Sequence, residues 1–347
     1  MVTARLPQDE IDRAVNALRE GEVVAFPTET VYGLGADAQN PEAVRKVFEL
    51  KGRPATHPLI VHLDHPRLLE RWALDVPPAA RALAERFWPG PLTLVLRRAP
   101  AVDLAITGGQ DTVAVRVPNH PVAQQLLRAF GGGIVAPSAN RYGRVSPTRA
   151  DHVREEFGDA VQVVLDGGDC KIGLESTIVS CVDAAPRVLR PGAITLTQLR
   201  AVVPEVAEGR SASQPRVPGS DAKHYAPSTP VSIVASGKLE EVVAQLTADH
   251  EKVAVLATRP PRLANKFMTW INAGRRAEVY GRELYVNLRT LDKSGAREIL
   301  VEEVPGGEAW DAVRDRLRRA ASAENVVSVD PDIAALRADF GEDAGSP

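Results

Sequence analysis

Cysteine is almost missing from this chain. Only Cys170 and Cys181 occur among 347 residues. They have neither metal-ligand spacing nor a pairing pattern, which excludes a disulfide scaffold and a cysteine zinc site. They read as free thiols of a reducing, cytoplasmic compartment. Aromatic residues are scarce too, at 5%, so there are few platforms on which single-stranded nucleic acid could stack. No apolar run approaches the ~18 residues of a membrane span, and the N-terminal MVTARLPQDE lacks an apolar core, so neither a span nor a secretory leader is expected. The net charge of −3 exerts no global pull on nucleic acid or anionic membrane, although it is compatible with a local basic cleft. GxSxG, HExxH, CxxC and GxxxxGK[ST] are all lacking, and no GxGxxG follows a strand. A serine hydrolase, a zinc enzyme and an ordinary NAD enzyme are thereby disfavoured.

What is present is an ordinary globular composition, 44% hydrophobic and 25% charged, in a chain long enough for two domains. Residues 23–35 read VVAFPTETVYGLG: a buried strand that breaks into hydroxyls, a carboxylate and glycines. Such a strand end suits a polar ligand as well as an ordinary turn. Helical spacing over residues 9–20 ends at Gly21. Asn40-Pro41-Glu42 opens a helix that delivers Lys51-Gly52-Arg53-Pro54. Short strands follow at 59–63, 92–96, 112–117, 134–136, 161–165, 178–182 and 187–190, and Thr195 with Gln198 forms a capping box. From about Glu208 to Pro230 the text turns rich in Gly, Ser and Pro, a linker, yet it holds the dense patch Lys223-His224-Tyr225-Ala226-Pro227. Beyond it, strands expected near 231–234, 253–257, 277–280 and 299–301 alternate with helices near 239–248, 263–271, 284–291 and 310–321. That pattern predicts a small parallel α/β sheet of Rossmann-like type.

The first two hundred residues place cations and hydroxyls at strand ends. Lys51, Arg53, Arg116 and Arg190 are the cations. Thr30, Thr112, Ser138, Ser146, Ser176 and Thr177 are the hydroxyls, joined by His62 and Asn140. Guanidinium groups facing one cleft suit phosphate and carboxylate, and serines at loop-to-helix junctions suit phosphate oxygens. Each residue also has a plainer role. Lys51 and Arg53 could be a solvated helix end, Arg116 an ion pair with Glu29 or Glu175, His62 a core histidine, and Ser138 and Ser146 helix caps.

The motifs run in one order: FPTETVYGLG from Phe26, KGRP from Lys51, PLIVH from Pro58, WPGPLTLVL from Trp88 and DTVAVRVPNHP from Asp111. APSAN from Ala136, SPT from Ser146, DGG from Asp166, ESTIV from Glu175 and LRPG from Leu189 follow. In this set the chain resembles the threonylcarbamoyl-AMP synthases (L-threonylcarbamoyladenylate synthases). PG....HYAP from Pro218 and the text to about Ala321 resemble the longer, two-domain form of that family. The resemblance implies synthesis of threonylcarbamoyl-AMP from L-threonine, bicarbonate and ATP with release of pyrophosphate. This is the first step of threonylcarbamoyl modification of adenosine 37 in tRNA. It implies a YrdC-like, twisted mixed sheet with an open cavity over residues 1–206, a linker acting as a lid over 207–230, a Rossmann-like domain over 231–325 and an acidic tail over 326–347.

The family's L-threonine positions fall on Thr30, His62, Arg116, Ala136 (through its backbone) and Ser176, with Arg116 on the carboxylate. Its ATP positions fall on Arg53, His57, Thr112, Ser138, Ser146, Arg190 and Tyr225, with Asn140 completing the serine-asparagine signature. Lys51 and Arg53 are its cationic pair and the implied stabilisers of transition-state charge. Mg²⁺ is implied with ATP, and a tRNA threonylcarbamoyltransferase is implied as recipient of the product. The chain departs from the pattern at His57, where asparagine is usual, and before HYAP, where an aromatic and further basic residues are usual. The rival readings are a double-stranded RNA or tRNA binder without catalysis and a carbamoyltransferase of the hydrogenase-maturation kind. The latter carries zinc-finger and acylphosphatase regions that this chain lacks the cysteines and length to hold.

Overall fold

The computed structural model describes residues 5–209, 214–219, 224–248, 250–263, 265–321 and the backbone of 326–327. Lys223 of the linker patch and residues 328–347 of the expected tail lie outside the described residues. Ten strands of the first half are β1 (Val24–Phe26), β2 (Gly33–Asp37), β3 (Ile60–His62), β4 (Ala73–Leu74), β5 (Leu92–Arg98), β6 (Thr112–Arg116), β7 (Ile134–Val135), β8 (Val163–Val164), β9 (Thr177–Ser180) and β10 (Arg187–Arg190). They form one sheet in the order β10-β9-β5-β6-β3-β7-β2-β1-β8, with β4 on the outer part of β5. The sheet is mixed: β3 runs parallel to β6 and antiparallel to β7.

This order places the ends of β1, β3, β6 and β9 around one region, although they are far apart in sequence. Valines alternate along β6. Val113, Val115 and Val117 are buried in the main core, and the intervening positions point Ala114 and Arg116 to the other face, as a period of two requires. The helix Pro41–Lys51 begins where expected: Asn40 Oδ1 accepts from the amides of Glu42 and Ala43, and Gly52 takes the left-handed conformation that ends it. Its geometry delivers Lys51 and Arg53 to the loops that flank the central strands β7 and β3.

The second sheet contains β11 (Val231–Val234), β12 (Val253–Ala257), β13 (Met268–Asn272), β14 (Glu298–Glu302) and β15 (Val326–Val327), in the order β13-β12-β14-β11-β15. Every pairing in it is parallel. Two expectations are corrected here. The described residues of 263–271 do not form a helix: Met268–Asn272 is a strand beside β12, and Leu263 is 80% exposed. The apolar run MTWIN was ambiguous in period, and its Thr, Trp and Ile suit a pleated surface better than a helix. Residues 277–280 are no strand either. They open the helix Ala277–Asp292, whose buried Tyr280, Leu284, Leu288 and Leu291 recur every three or four residues on one face. Val326–Val327, assigned from sequence to the tail, pairs with β11.

The two sheets are not joined by the linker alone. Val31, Val145 and Leu174 of the first half and Tyr225 of the linker belong to the same apolar cluster as Leu284, Tyr285 and Val313. The helix Ala277–Asp292 comes close because position 281 is glycine: a Cβ there would sit 3.1 Å from Leu174 Cδ1.

Candidate active site

A cavity opens where the strand ends converge. Its wall contains Thr28, Thr30, Val31, Gly33, Arg53, Ile60, His62, Arg116, Ala136, Pro137, Ser138, Glu175, Ser176 and Arg190, and Pro218, Gly219, His224 and Tyr225 of the linker cover it. The whole expected L-threonine set is here. From the expected ATP set, Arg53, Ser138, Arg190 and Tyr225 are present.

The loop after β1 is shaped by its own hydroxyls. Thr28 Oγ1 donates to the carbonyl of Val31 at 2.6 Å and accepts from the amides of Thr30 and Val31, a side-chain turn that turns Thr30 inward. Tyr32 donates to the carbonyl of Gly168 at 2.9 Å and holds the loop against the DGG turn. Arg116 comes from the end of β6, 4% exposed. Its Nη1 donates to Thr30 Oγ1 at 2.9 Å and its Nε to the carbonyl of Gly90 at 3.3 Å. Nη2 lies 2.7 Å from Glu29 Oε1, yet neither atom finds a well-aligned hydrogen bond. Arg116 is therefore ion-paired with Glu29, as one sequence reading allowed, and still holds a buried, poorly directed donor at the cavity.

His62 pairs with Arg116 across β3 and β6. Burial, reinforced by the Arg116 charge, pushes its pKa down to about 3, so it is a neutral imidazole at physiological pH. The amide of Ala136 is donated to the carbonyl of Ile60 at 3.0 Å. A backbone contact from Ala136 to a ligand must use its carbonyl. Ser176 shares a hydrogen bond with Thr93 at 2.7 Å and accepts from Arg190 Nη2 at 3.3 Å. Arg190 bridges floor and lid: it also donates to the carbonyl of Ser176, to the carbonyl of Pro218 at 3.0 Å and to the hydroxyl of Tyr225 at 3.4 Å. Two residues on, Gly192 packs against the backbone of the Ser176 wall: a Cβ there would lie 2.4 Å from the amide nitrogen of Thr177. Gly192→Ala is expected to cost about 1–3 kcal/mol through overpacking, read as a melting temperature lower by several degrees in calorimetry.

Five expected residues stand outside the wall. Lys51 Nζ reaches the backbone from behind, donating to the carbonyl of Ser138 at 2.6 Å and to that of Asn140. Burial and the neighbouring Arg53 charge lower its pKa. Asn140 secures the same loop, donating to the carbonyls of Arg141 and Arg144. Ser146 donates to Glu175 Oε1 at 2.6 Å. His57 packs edge-on against Tyr142, and Thr112 begins β6 opposite Arg97. The signature lysine and asparagine thus brace the Ser138 loop, and Arg53 is the member of the cationic pair that reaches the cavity.

Glu175 is the wall residue that sequence reading treated only as an ion-pair partner for Arg116. Its carboxylate accepts from Ser146, from the Tyr285 hydroxyl at 2.9 Å and from Arg316 Nε at 2.8 Å. Burial works to raise its pKa, but Arg316 and Arg190 outweigh it and hold the value down at about 2. Arg316 and Tyr285 were missed because no local signal marks them. Arg316 is one of four arginines in the helix Asp311–Ala320.

Residues 16–192 match a family model described as telomere recombination (Sua5_yciO_yrdC), and residues 194–322 match one described as threonylcarbamoyl-AMP synthase, C-terminal domain. The threonylcarbamoyl-AMP synthase of Pyrococcus abyssi is 41% identical, over 92% of this chain and 96% of its own length. This chain belongs to the threonylcarbamoyl-AMP synthase family. The Bacillus subtilis synthase is 40% identical over 90% and 93% of the two chains. The crystal structure of P. abyssi Sua5 complexed with L-threonine superposes with a TM-score of 0.87, at 40% identity over 95% of this chain and 98% of that one. The chain is an enzyme of the two-domain form of these synthases; the floor of its cavity comes from the part matched by the first model, and Pro218, Gly219, His224 and Tyr225, which cover it, from the part matched by the second. No helix among the described residues is long and apolar enough to cross a membrane.

Proposed function

We infer that this cavity joins L-threonine, bicarbonate and ATP into threonylcarbamoyl-AMP and pyrophosphate, opening the threonylcarbamoyl modification of adenosine 37 in tRNA. The observation that carries the reading is the convergence of Arg53, Arg116 and Arg190, three buried guanidinium groups, on one cavity together with Thr30, His62 and Ser176. Arg116 Nη2, turned only obliquely to Glu29, is the donor for the threonine carboxylate. Neutral His62 and the carbonyl of Ala136 offer hydrogen bonds without adding charge. Threonine's amine and bicarbonate give a carbamate with loss of water. A carbamate oxygen then attacks the α-phosphorus of ATP, and the bond to the departing pyrophosphate breaks. No protein nucleophile is required. Orientation and neutralisation of developing phosphate charge by Arg53 and Arg190 supply the acceleration.

Mg²⁺ enters this reading as part of the nucleotide substrate. Among the described residues no three His, Cys, Asp or Glu side chains gather into a metal site, and Glu29 and Glu175 are each held by an arginine. Such a site suits a cation bound through phosphates and water. Under the linker the cavity measures about 50 Å³, far below the roughly 300–1,000 Å³ of small-molecule pockets. Pro218, Gly219 and Tyr225, which close it on Arg190, would have to stand aside for nucleotide to enter. The product passes to a tRNA threonylcarbamoyltransferase in the cytoplasm. Pyrophosphate release from ATP by the purified protein is expected to require both L-threonine and bicarbonate; release indifferent to threonine overturns the reading.

A further inference from the structure

Glu175 stands in the cavity wall as a carboxylate, where an anionic nucleotide has to be accommodated. Ser146 and the Arg190 charge of its own half compensate it in part, and the other half of the chain supplies two further partners. Arg316 is 1% exposed and places Nε 2.8 Å from Glu175 Oε2. Tyr285 donates to the same carboxylate. Arg316 also donates to the carbonyl of Pro191 at 3.0 Å, next to Arg190, and lies 5.3 Å from the centre of the Tyr225 ring. Tyr225 in turn stacks on Tyr285 at 5.9 Å. Asp315 pairs both with Arg316, at 2.7 Å, and with Arg319, at 2.9 Å, so two arginines answer the two carboxylates of Glu175 and Asp315. The linker is anchored to the same half: the amide of His224 donates to the carbonyl of Arg319, and the amides of Ser228 and Thr229 donate to Asp292.

We propose that Arg316 is a positioning residue for the synthesis reaction, cancelling the charge of Glu175 so that ATP can occupy the cavity and making the second domain an electrostatic part of the site. The proposal rests on the reading of the cavity as a nucleotide site. A carboxylate left uncompensated about 6 Å from a phosphate, at the effective dielectric of a protein, opposes binding by roughly tenfold to a hundredfold. A second domain that served only as an anchor would not show this charge dependence.

The test is steady-state pyrophosphate release by the full chain. Arg316→Met is expected to raise the KM for ATP at least tenfold, with the KM for L-threonine and kcat within about threefold of the parent. The double variant Arg316→Met with Glu175→Gln is expected to bring the ATP KM back to within about threefold, because it buries no lone charge. An unchanged ATP KM in Arg316→Met overturns the proposal. So does a double variant as impaired as the single one, which would make packing the cause. Where Arg316→Met does not fold, the double variant decides: an ATP KM within threefold of the parent supports the proposal, and a larger rise overturns it. Failure of the synthase reading shows differently, as a parent protein that releases no pyrophosphate with threonine and bicarbonate present. Calorimetric ATP affinities of the same variants then test the role of Arg316 by themselves.

Discussion

Arg53→Ala is expected to lower kcat/KM by about 10²–10³-fold, the usual loss when one preorganised cationic donor is removed from developing charge. Stability should change little. Arg53 Nη2 donates to the carbonyl of Pro58 at 2.9 Å, a bond worth about 1 kcal/mol net, and the protein should retain its cooperative melting transition. Steady-state pyrophosphate assays beside thermal unfolding check both halves. Turnover surviving within about threefold removes Arg53 from the catalytic role. Loss of the melting transition would instead make it structural. Arg53→Lys should recover only part of the rate, since an ammonium cannot reproduce the planar fork.

The second large effect is on stability. Arg116→Met leaves Glu29, 5% exposed, without its ion-pair partner. Breaking one side of a buried pair costs about 3–5 kcal/mol, visible as a lower denaturation midpoint. The double variant Arg116→Met with Glu29→Gln should recover most of this loss, because no lone charge stays buried. It should not recover threonine binding, since the carboxylate donor is gone. Calorimetry with L-threonine separates the two roles: threonine affinity restored in the double variant would show that Arg116 serves only to neutralise Glu29.

These two arginines show where sequence reading succeeds and where it stops. That Arg116 faces away from Val113, Val115 and Val117 follows from the two-residue period of a strand, a property of neighbours along the chain. That its partner is Glu29 and not Glu175 depends on which strand ends share a corner of the sheet, and a strand order of β6-β3-β7-β2-β1 is not encoded in local pattern. Lys51 and Arg53 lie two residues apart at one helix end, yet one reaches backward to the carbonyls of Ser138 and Asn140 and the other into the cavity. The left-handed Gly52 between them reverses the chain and separates their directions.

Sequence alone determined the α/β class, the helix starts at Asn40 and Thr195, and the set of cations and hydroxyls from which the site is drawn. Periodicity, capping chemistry and motif spacing act over a few residues and survive without coordinates. Only the tertiary structure decided that Ser146 and Asn140 brace the wall from behind and that Glu175 is answered by Arg316, 141 positions away. A buried ion pair at that separation is set by how two sheets share one apolar cluster, and no local signal in either segment records the partner.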